Sequence, residues 1–124
     1  MYLLDSSAII ELLAGSERGR KIKDLIGEDV LVSTAISLVE VLSGTQGNMA
    51  TTASQFFKAI DSLPFDREAA SESLEIERHL REHGKPAEWS DVFIAGICKK
   101  HRITLVTCDT GFRHMPMIEA KIVL

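Results

Sequence analysis

Four acidic side chains sit in stretches where acids are out of place. Asp5 closes the apolar run Met1-Tyr2-Leu3-Leu4, and Asp109 closes the run Leu105-Val106-Thr107-Cys108. Glu40 lies within Ala35-Ile36-Ser37-Leu38-Val39-Glu40-Val41-Leu42, apolar on nearly every side and therefore expected to be buried. Asp91 shares a helical face with Ile94, Ala95 and Cys98, at i+3, i+4 and i+7. None of the four has a lysine or arginine beside it in the chain. Carboxylates gathered without such partners repel one another, and a hard divalent cation is the usual remedy. Oxygen-only ligation suits Mg²⁺ or Mn²⁺ rather than zinc. A cation of that kind orients and deprotonates water and neutralises charge on a phosphoryl group. The chemistry these residues point to is metal-assisted phosphodiester hydrolysis.

Each acid also has a plainer explanation. Asp5 and Asp109 could be turn or cap residues, and Asp91 could serve the dipole of a first helical turn. Glu40 could lie on a narrow polar strip with Ser37 and Gly44. The elements that carry them favour a shared site. A strand over residues 1–4 leads into a helix opened by Ser6 and Ser7, broken at Gly15. Ser16 or Glu17 starts a second helix, with Ile22, Leu25 and Ile26 on one face and Gly27 at its end. A strand over 29–33 follows, then a helix over 35–43 capped by Ser33 or Thr34 and stopped by Gly44. The next helix, from about Met49 to Ile60, carries Ala53, Phe56, Phe57 and Ile60 on one face. That face is expected to pack in the core, with a dimer surface as the alternative.

Leu63-Pro64-Phe65 reads as a short edge strand. Asp66 then caps a helix to about His83, with Ala69, Ile76 and Leu80 inward and Gly84 and Pro86 ending it. Ser90 is the expected cap of a helix over 91–100; strands at 102–107 and 120–124 flank a turn at Asp109-Thr110-Gly111. Strands alternate with helices and are continuous apolar runs. That pattern predicts an α/β fold with a parallel sheet covered by helices on both faces. Ligands in such sheets bind beyond the carboxyl ends of the strands, where acids at strand tips and helix ends can converge.

The 124 residues are expected to form a single domain, 1–124, large enough for a core. With 45% hydrophobic and 26% charged residues, the composition is that of an ordinary soluble chain. No apolar run approaches the roughly 18 residues of a membrane span, and no export signal is evident. Cys98 and Cys108 share no metal-type spacing and are expected to be reduced core residues of a cytoplasmic protein. The net charge of −4 does not exclude a nucleic-acid partner. With four carboxylates set aside at a metal, acids and bases are equal in number.

The chain resembles a PIN domain, and within that group a VapC-type toxin of a toxin–antitoxin pair. The likeness runs essentially end to end. It rests on Leu4-Asp5-Ser6-Ser7 and on Glu40 in the 35–44 segment. It rests further on Asp91-x-x-Ile94-Ala95 after a loop containing Gly84, and on Leu105-Val106-Thr107-Cys108-Asp109-x-x-Phe112. The resemblance implies a three-layer α/β/α sandwich with a central parallel sheet and Mg²⁺- or Mn²⁺-dependent ribonuclease activity. Asp5, Glu40, Asp91 and Asp109 would be the catalytic, metal-binding acids, with Ser7 and Thr107 as accessory polar positions. The family often has asparagine where Ser7 stands. The same likeness implies a homodimer, alone or in a larger assembly, and a VapB-type antitoxin whose tail covers the acidic groove. RNA phosphates need positive charge, for which Arg18, Arg20, Lys21, Lys23, Lys85, and Arg113 with His114 are candidates.

Three other readings compete. His79-Leu80-Arg81-Glu82-His83 fits a zinc-peptidase pattern, although it lies at the charged end of a helix. A receiver-like domain would use Asp66 as phosphoacceptor. A PIN-like module without activity would bind nucleic acid or protein only.

Overall fold

The structure is a computed structural model describing residues 1–124. Its sheet contains β1 (Tyr2–Leu4), β2 (Leu31–Thr34), β3 (Asp61–Leu63), β4 (Thr104–Thr107) and β5 (Ala120–Ile122). All neighbouring strands are parallel, in the order β3-β2-β1-β4-β5. The helices are α1 (Ser6–Ala14), α2 (Glu17–Ile26), α3 (Ala35–Ser43), α4 (Gly47–Ala59), α5 (Arg67–Glu82) and α6 (Trp89–His101). A short 3₁₀ helix spans Thr110–His114.

Alternate residues of the central strands divide the core. Leu3, Val32 and Leu105 pack beneath α5 and α6 with Ala69, Ile76, Leu80, Ile94 and Ile97. On the other face, Leu4 and Val106 meet Ala8, Ile9, Ile22, Val41 and Ala53 from α1 to α4. The result is the expected three-layer α/β/α arrangement. Strands covered on both faces are apolar along most of their length, as in Leu3-Leu4 of β1 and Leu105-Val106 of β4. Phe56 and Phe57 pack against the second cluster, edge to face with each other. No helix is long and apolar enough to cross a membrane.

Several boundaries differ from the sequence reading, each for a local reason. The third strand ends at Leu63, before Pro64, which supplies no amide hydrogen for a ladder. Arg102 lies outside β4, in the left-handed region at φ 53°, where it closes α6. Helix α6 starts at Trp89 with Glu88 at its N-cap and no side-chain cap bond, so Ser90 is inside the helix rather than capping it. By contrast Asp5, Ser16, Thr34 and Asp66 each accept a backbone N–H in the first turn of the following helix.

The largest departure concerns α3. Only Ser37 and Val41 of this helix are buried, Val39 is 62% exposed, and Glu40 is exposed rather than buried. An apolar composition does not guarantee burial, because a nine-residue helix covered on one side by its neighbours leaves the other side to solvent.

Candidate active site

The strand order reverses between β1 and β4. Chain connections run outward from β1 through β2 to β3, then return across the sheet to β4. Such a switch point leaves a crevice at the strands' carboxyl ends. The register Leu4↔Val106 puts Asp5 level with Thr107 at that edge. There the backbone N–H of Asp5 donates to Val106 O.

Asp5 is buried and held from several sides. Its Oδ1 accepts from the Ala8 backbone N–H (3.0 Å) and from the Ser7 hydroxyl (2.7 Å), while Oδ2 accepts from the Thr107 hydroxyl. Ser7 Oγ also accepts from the Cys108 N–H (2.9 Å), and Thr107 Oγ1 from the Asp109 N–H (3.0 Å). Ser7 and Thr107 therefore lace the tip of β1 to the tip of β4. The cap and site readings of Asp5 prove compatible, since one oxygen caps α1 while the other faces β4. Asp109 combines the same roles: it accepts from the Gly111 N–H (2.8 Å), opens the 3₁₀ helix and lines the crevice.

Removing the Ser7 hydroxyl would leave the Cys108 N–H and one donor to Asp5 unreplaced. Ser7→Ala is expected to cost about 1–3 kcal/mol of stability, the usual range when a buried polar partner is deleted. Urea unfolding measures this, and a change below the error of that experiment would show the network to be slack.

Asp91 enters from the first turn of α6. A helix N-terminus ordinarily favours a carboxylate, yet the Asp91 carboxyl is pushed up to about 7. Burial is the largest cause, followed by the negative charges of Asp109, Asp5 and Glu40 and a hydrogen bond with Asp109. Burial also raises the Asp5 carboxyl, against the opposing hydrogen bonds from Thr107, Ala8 and Ser7, with Asp109 adding to the rise. Glu40 reaches the same edge from outside, 3.4 Å from Ser6 Oγ. Asp5, Asp91 and Asp109 thus influence one another at this edge, and the charge of Glu40, which is exposed and does not line the groove, also reaches Asp91.

The side chains as they stand contain no three-residue His, Cys, Asp or Glu set close enough to hold a metal ion. In donor type, however, the residues fit a hard cation. The cluster is oxygen-only, and no lysine or arginine pairs with any of its members. Asp5 accepts three hydrogen bonds, leaving one lone-pair site of the roughly four a carboxylate offers.

An open groove of about 520 Å³ runs over this edge. It is lined by Asp91 and Asp109, by the segment Gly84–Glu88 between α5 and α6, and by Gly111 and His114. Of the expected RNA contacts, Lys85 lines this groove. Arg113 does not, whereas its neighbour His114 does. Arg18, Arg20, Lys21 and Lys23 are exposed on α2 and do not line it. Among them, Arg18 lies close enough to Cys108 to oppose the rise that burial imposes on that thiol, while Lys21 Nζ donates to Leu124 O (3.2 Å). The acidic Glu88 wall was not anticipated; it is one residue before α6 and had no pattern to mark it.

The competing motifs fall elsewhere. Asp66 caps α5 and pairs with Lys100, which holds its carboxyl below the usual range. His79 and His83 stack on each other at the end of α5, ring centroids 4.1 Å apart. Both cysteines are free.

The model of the PIN domain family matches residues 2–117. Toxin FitB of Neisseria gonorrhoeae is 32% identical over 127 aligned positions, covering 90% of this chain and 89% of the relative. Ribonuclease VapC5 of Mycobacterium tuberculosis is 24% identical, covering 89% and 84%. The fold superimposes on VapBC2 from Rickettsia felis, solved bound to a DNA fragment from its promoter. That superposition has a TM-score of 0.81 and 16% identity, with 99% of this chain and 98% of the other covered. With a family match over residues 2–117 and a relative 32% identical along most of both chains, the chain belongs to the PIN domain family.

Proposed function

We propose that this protein is a metal-dependent ribonuclease and the toxin of a toxin–antitoxin pair. The observation that carries the reading is a carboxyl cluster at the sheet's switch point, in which Asp91 is pushed up to about 7 by burial first and then by the negative charges of Asp109, Asp5 and Glu40. A carboxyl so perturbed in a cleft is a mark of a functional site. The names of the two relatives, a toxin and a ribonuclease, support the same assignment.

Asp5, Asp91 and Asp109 would hold the cation. Bound there, Mg²⁺ or Mn²⁺ supplies an activated water and neutralises charge on the phosphate. Ser7 and Thr107 keep Asp5 fixed in position from both sides. Glu40, which is exposed, would orient or deprotonate the attacking water, or ligate the cation through water. Lys85 contacts RNA phosphate from the groove wall. A VapB-type antitoxin would inhibit the enzyme by covering this groove, and a homodimer would be the working form.

The test is cleavage of single-stranded RNA by the purified chain with Mg²⁺ or Mn²⁺, and its loss with EDTA and in Asp5→Asn. Cleavage that persists in EDTA or in the variant would sink the site. A folded, metal-loaded protein that cleaves no RNA would sink the activity.

A further inference from the structure

The groove presents a charge problem that the carboxylates alone do not solve. Three of its lining residues, Glu88, Asp91 and Asp109, are acidic, and RNA is a polyanion. A cation at the acids neutralises one phosphate, but the strand on either side must still be held against repulsion. Most nucleic-acid affinity comes from phosphate contacts, and contacts with phosphate also set register. Yet the conspicuous basic row on α2 does not line the groove, and neither does Arg113.

Only two lining side chains can donate to a phosphate from outside the acidic edge, Lys85 and His114. They come from separate elements. Lys85 belongs to the turn closing α5, where Gly84 adopts φ +65° and the Lys85 N–H returns to Leu80 O (2.8 Å). His114 ends the 3₁₀ helix that Asp109 opens. That helix is anchored beneath by buried Phe112 and Met115, and both His114 and Lys85 are exposed. Neither residue is held by an ion pair. Their donors are free for a ligand.

We infer that Lys85 and His114 form a two-sided phosphate clamp for a single RNA strand, positioning the backbone over the acidic cluster. This inference rests on the proposed ribonuclease reading and assigns the substrate contacts within it. Lys85 acts as a mobile point charge. His114 donates from a ring nitrogen whose backbone is tethered five residues after Asp109, so its contact is tied to the register of the reacting phosphate. Both are positioning residues. Neither takes part in bond making or breaking.

The experiment uses the full chain with a fluorescent single-stranded RNA, measuring binding by anisotropy with Ca²⁺ in place of Mg²⁺ and cleavage kinetics with Mg²⁺ or Mn²⁺. Lys85→Ala and His114→Ala are each expected to weaken RNA binding and raise KM about 5–10-fold, with the loss in kcat/KM carried by KM. Lys85→Ala should also reduce the salt slope of log K by about 0.7, the amount for one single-strand phosphate contact. Lys85→Gln and His114→Gln, compared by thermal melting, separate contact loss from misfolding. The clamp is overturned if both alanine variants, folded, bind RNA as the wild type does. It is also overturned if His114→Ala lowers kcat with KM unchanged, or if Arg113→Ala loses binding while His114→Ala does not. Wild-type RNA binding that depends on both residues, without any cleavage, would keep the clamp and remove the ribonuclease reading. Cleavage indifferent to both would do the reverse.

Discussion

Asp91→Asn is expected to lower metal-dependent RNA cleavage by at least about 10²-fold, the scale on which a single preorganised electrostatic group acts, and at the same time to stabilise the metal-free protein. The two effects have one cause. Asp91 is brought to about 7 by burial and by Asp109, Asp5 and Glu40, so its ionised form is disfavoured in the fold but not in the unfolded chain. A raised folded-state value contributes stability fully below the ordinary carboxylate value of 3.8, and that stability is lost as the pH rises through about 7. For this group, metal-free stability should therefore fall between about pH 4 and pH 7 and level off above. Asparagine cannot ionise and escapes that loss. Each pKa unit corresponds to about 1.36 kcal/mol. Allowing for solvent screening at a half-buried group, the gain at pH 8 is about 1–3 kcal/mol.

Added Mg²⁺ or Mn²⁺ should reverse the ranking. An ion that binds only the folded state raises stability by mass action. The wild type would then gain Tm with increasing metal, and the variant much less. Urea melts at pH 5 and pH 8, with and without metal, measure all of this. A variant no more stable than wild type at pH 8 without metal would refute the idea that the fold disfavours the ionised Asp91 carboxyl. Retained cleavage would refute the role of Asp91.

The second large effect concerns a residue remote from the chemistry. Gly96 lies where α5 and α6 cross, and a Cβ there would stand 2.0 Å from Ser73 Oγ and 2.5 Å from Ala69 O. Ser73 is itself buried, donating to Ala69 O (2.8 Å) with Val92 O at 3.1 Å, so it has nowhere to retreat without breaking those contacts. Alanine would ordinarily gain about 1 kcal/mol over glycine inside a helix. Here the clash dominates, and Gly96→Ala should cost about 3 kcal/mol, at the upper end for overpacking. Parting α5 from α6 also shifts Asp91 and the Gly84–Glu88 wall, so cleavage should fall even in the folded fraction. Ser73→Ala added to Gly96→Ala relieves the hydroxyl contact but not the carbonyl, and should restore stability only in part. A Gly96→Ala protein with wild-type Cm would show that the two helices have room to separate.

The outcome at Glu40 shows where sequence reasoning stops. Its neighbours in α3 are almost all apolar, and burial was the natural expectation; the structure exposes it together with Val39. The charge of Glu40 nevertheless reaches Asp91, adding to the rise that burial and the nearer acids impose there. The burial inferred for it was wrong, and its place in the site remains part of the proposal. Arg113 and His114 make a similar case. Adjacent positions face different ways on a 3₁₀ helix, and only the folded chain places His114 in the groove. The α2 basic row was the most visible cationic feature of the chain, but charge patterning in a sequence does not say which side chains will line a groove: none of this row does, although Arg18 reaches the neighbourhood of Cys108.

For Asp5, the amino-acid sequence by itself determined a great deal: a buried strand ending in a carboxylate, a helix beginning immediately after it, and a second strand-tip acid at Asp109. These follow from hydrophobic periodicity, capping chemistry and the cost of burying charge, all of which act locally. The tertiary structure alone decided which strands are neighbours. With β1 beside β4, Thr107 bonds Asp5 across 102 positions of chain, and Ser7 bonds Cys108 across 101. Strand order is settled by long-range packing on both faces of the sheet, and no short stretch of sequence encodes it. That order brings Asp5 and Asp109, each separately explicable as a cap, to the same edge of the sheet, where both charges act on Asp91.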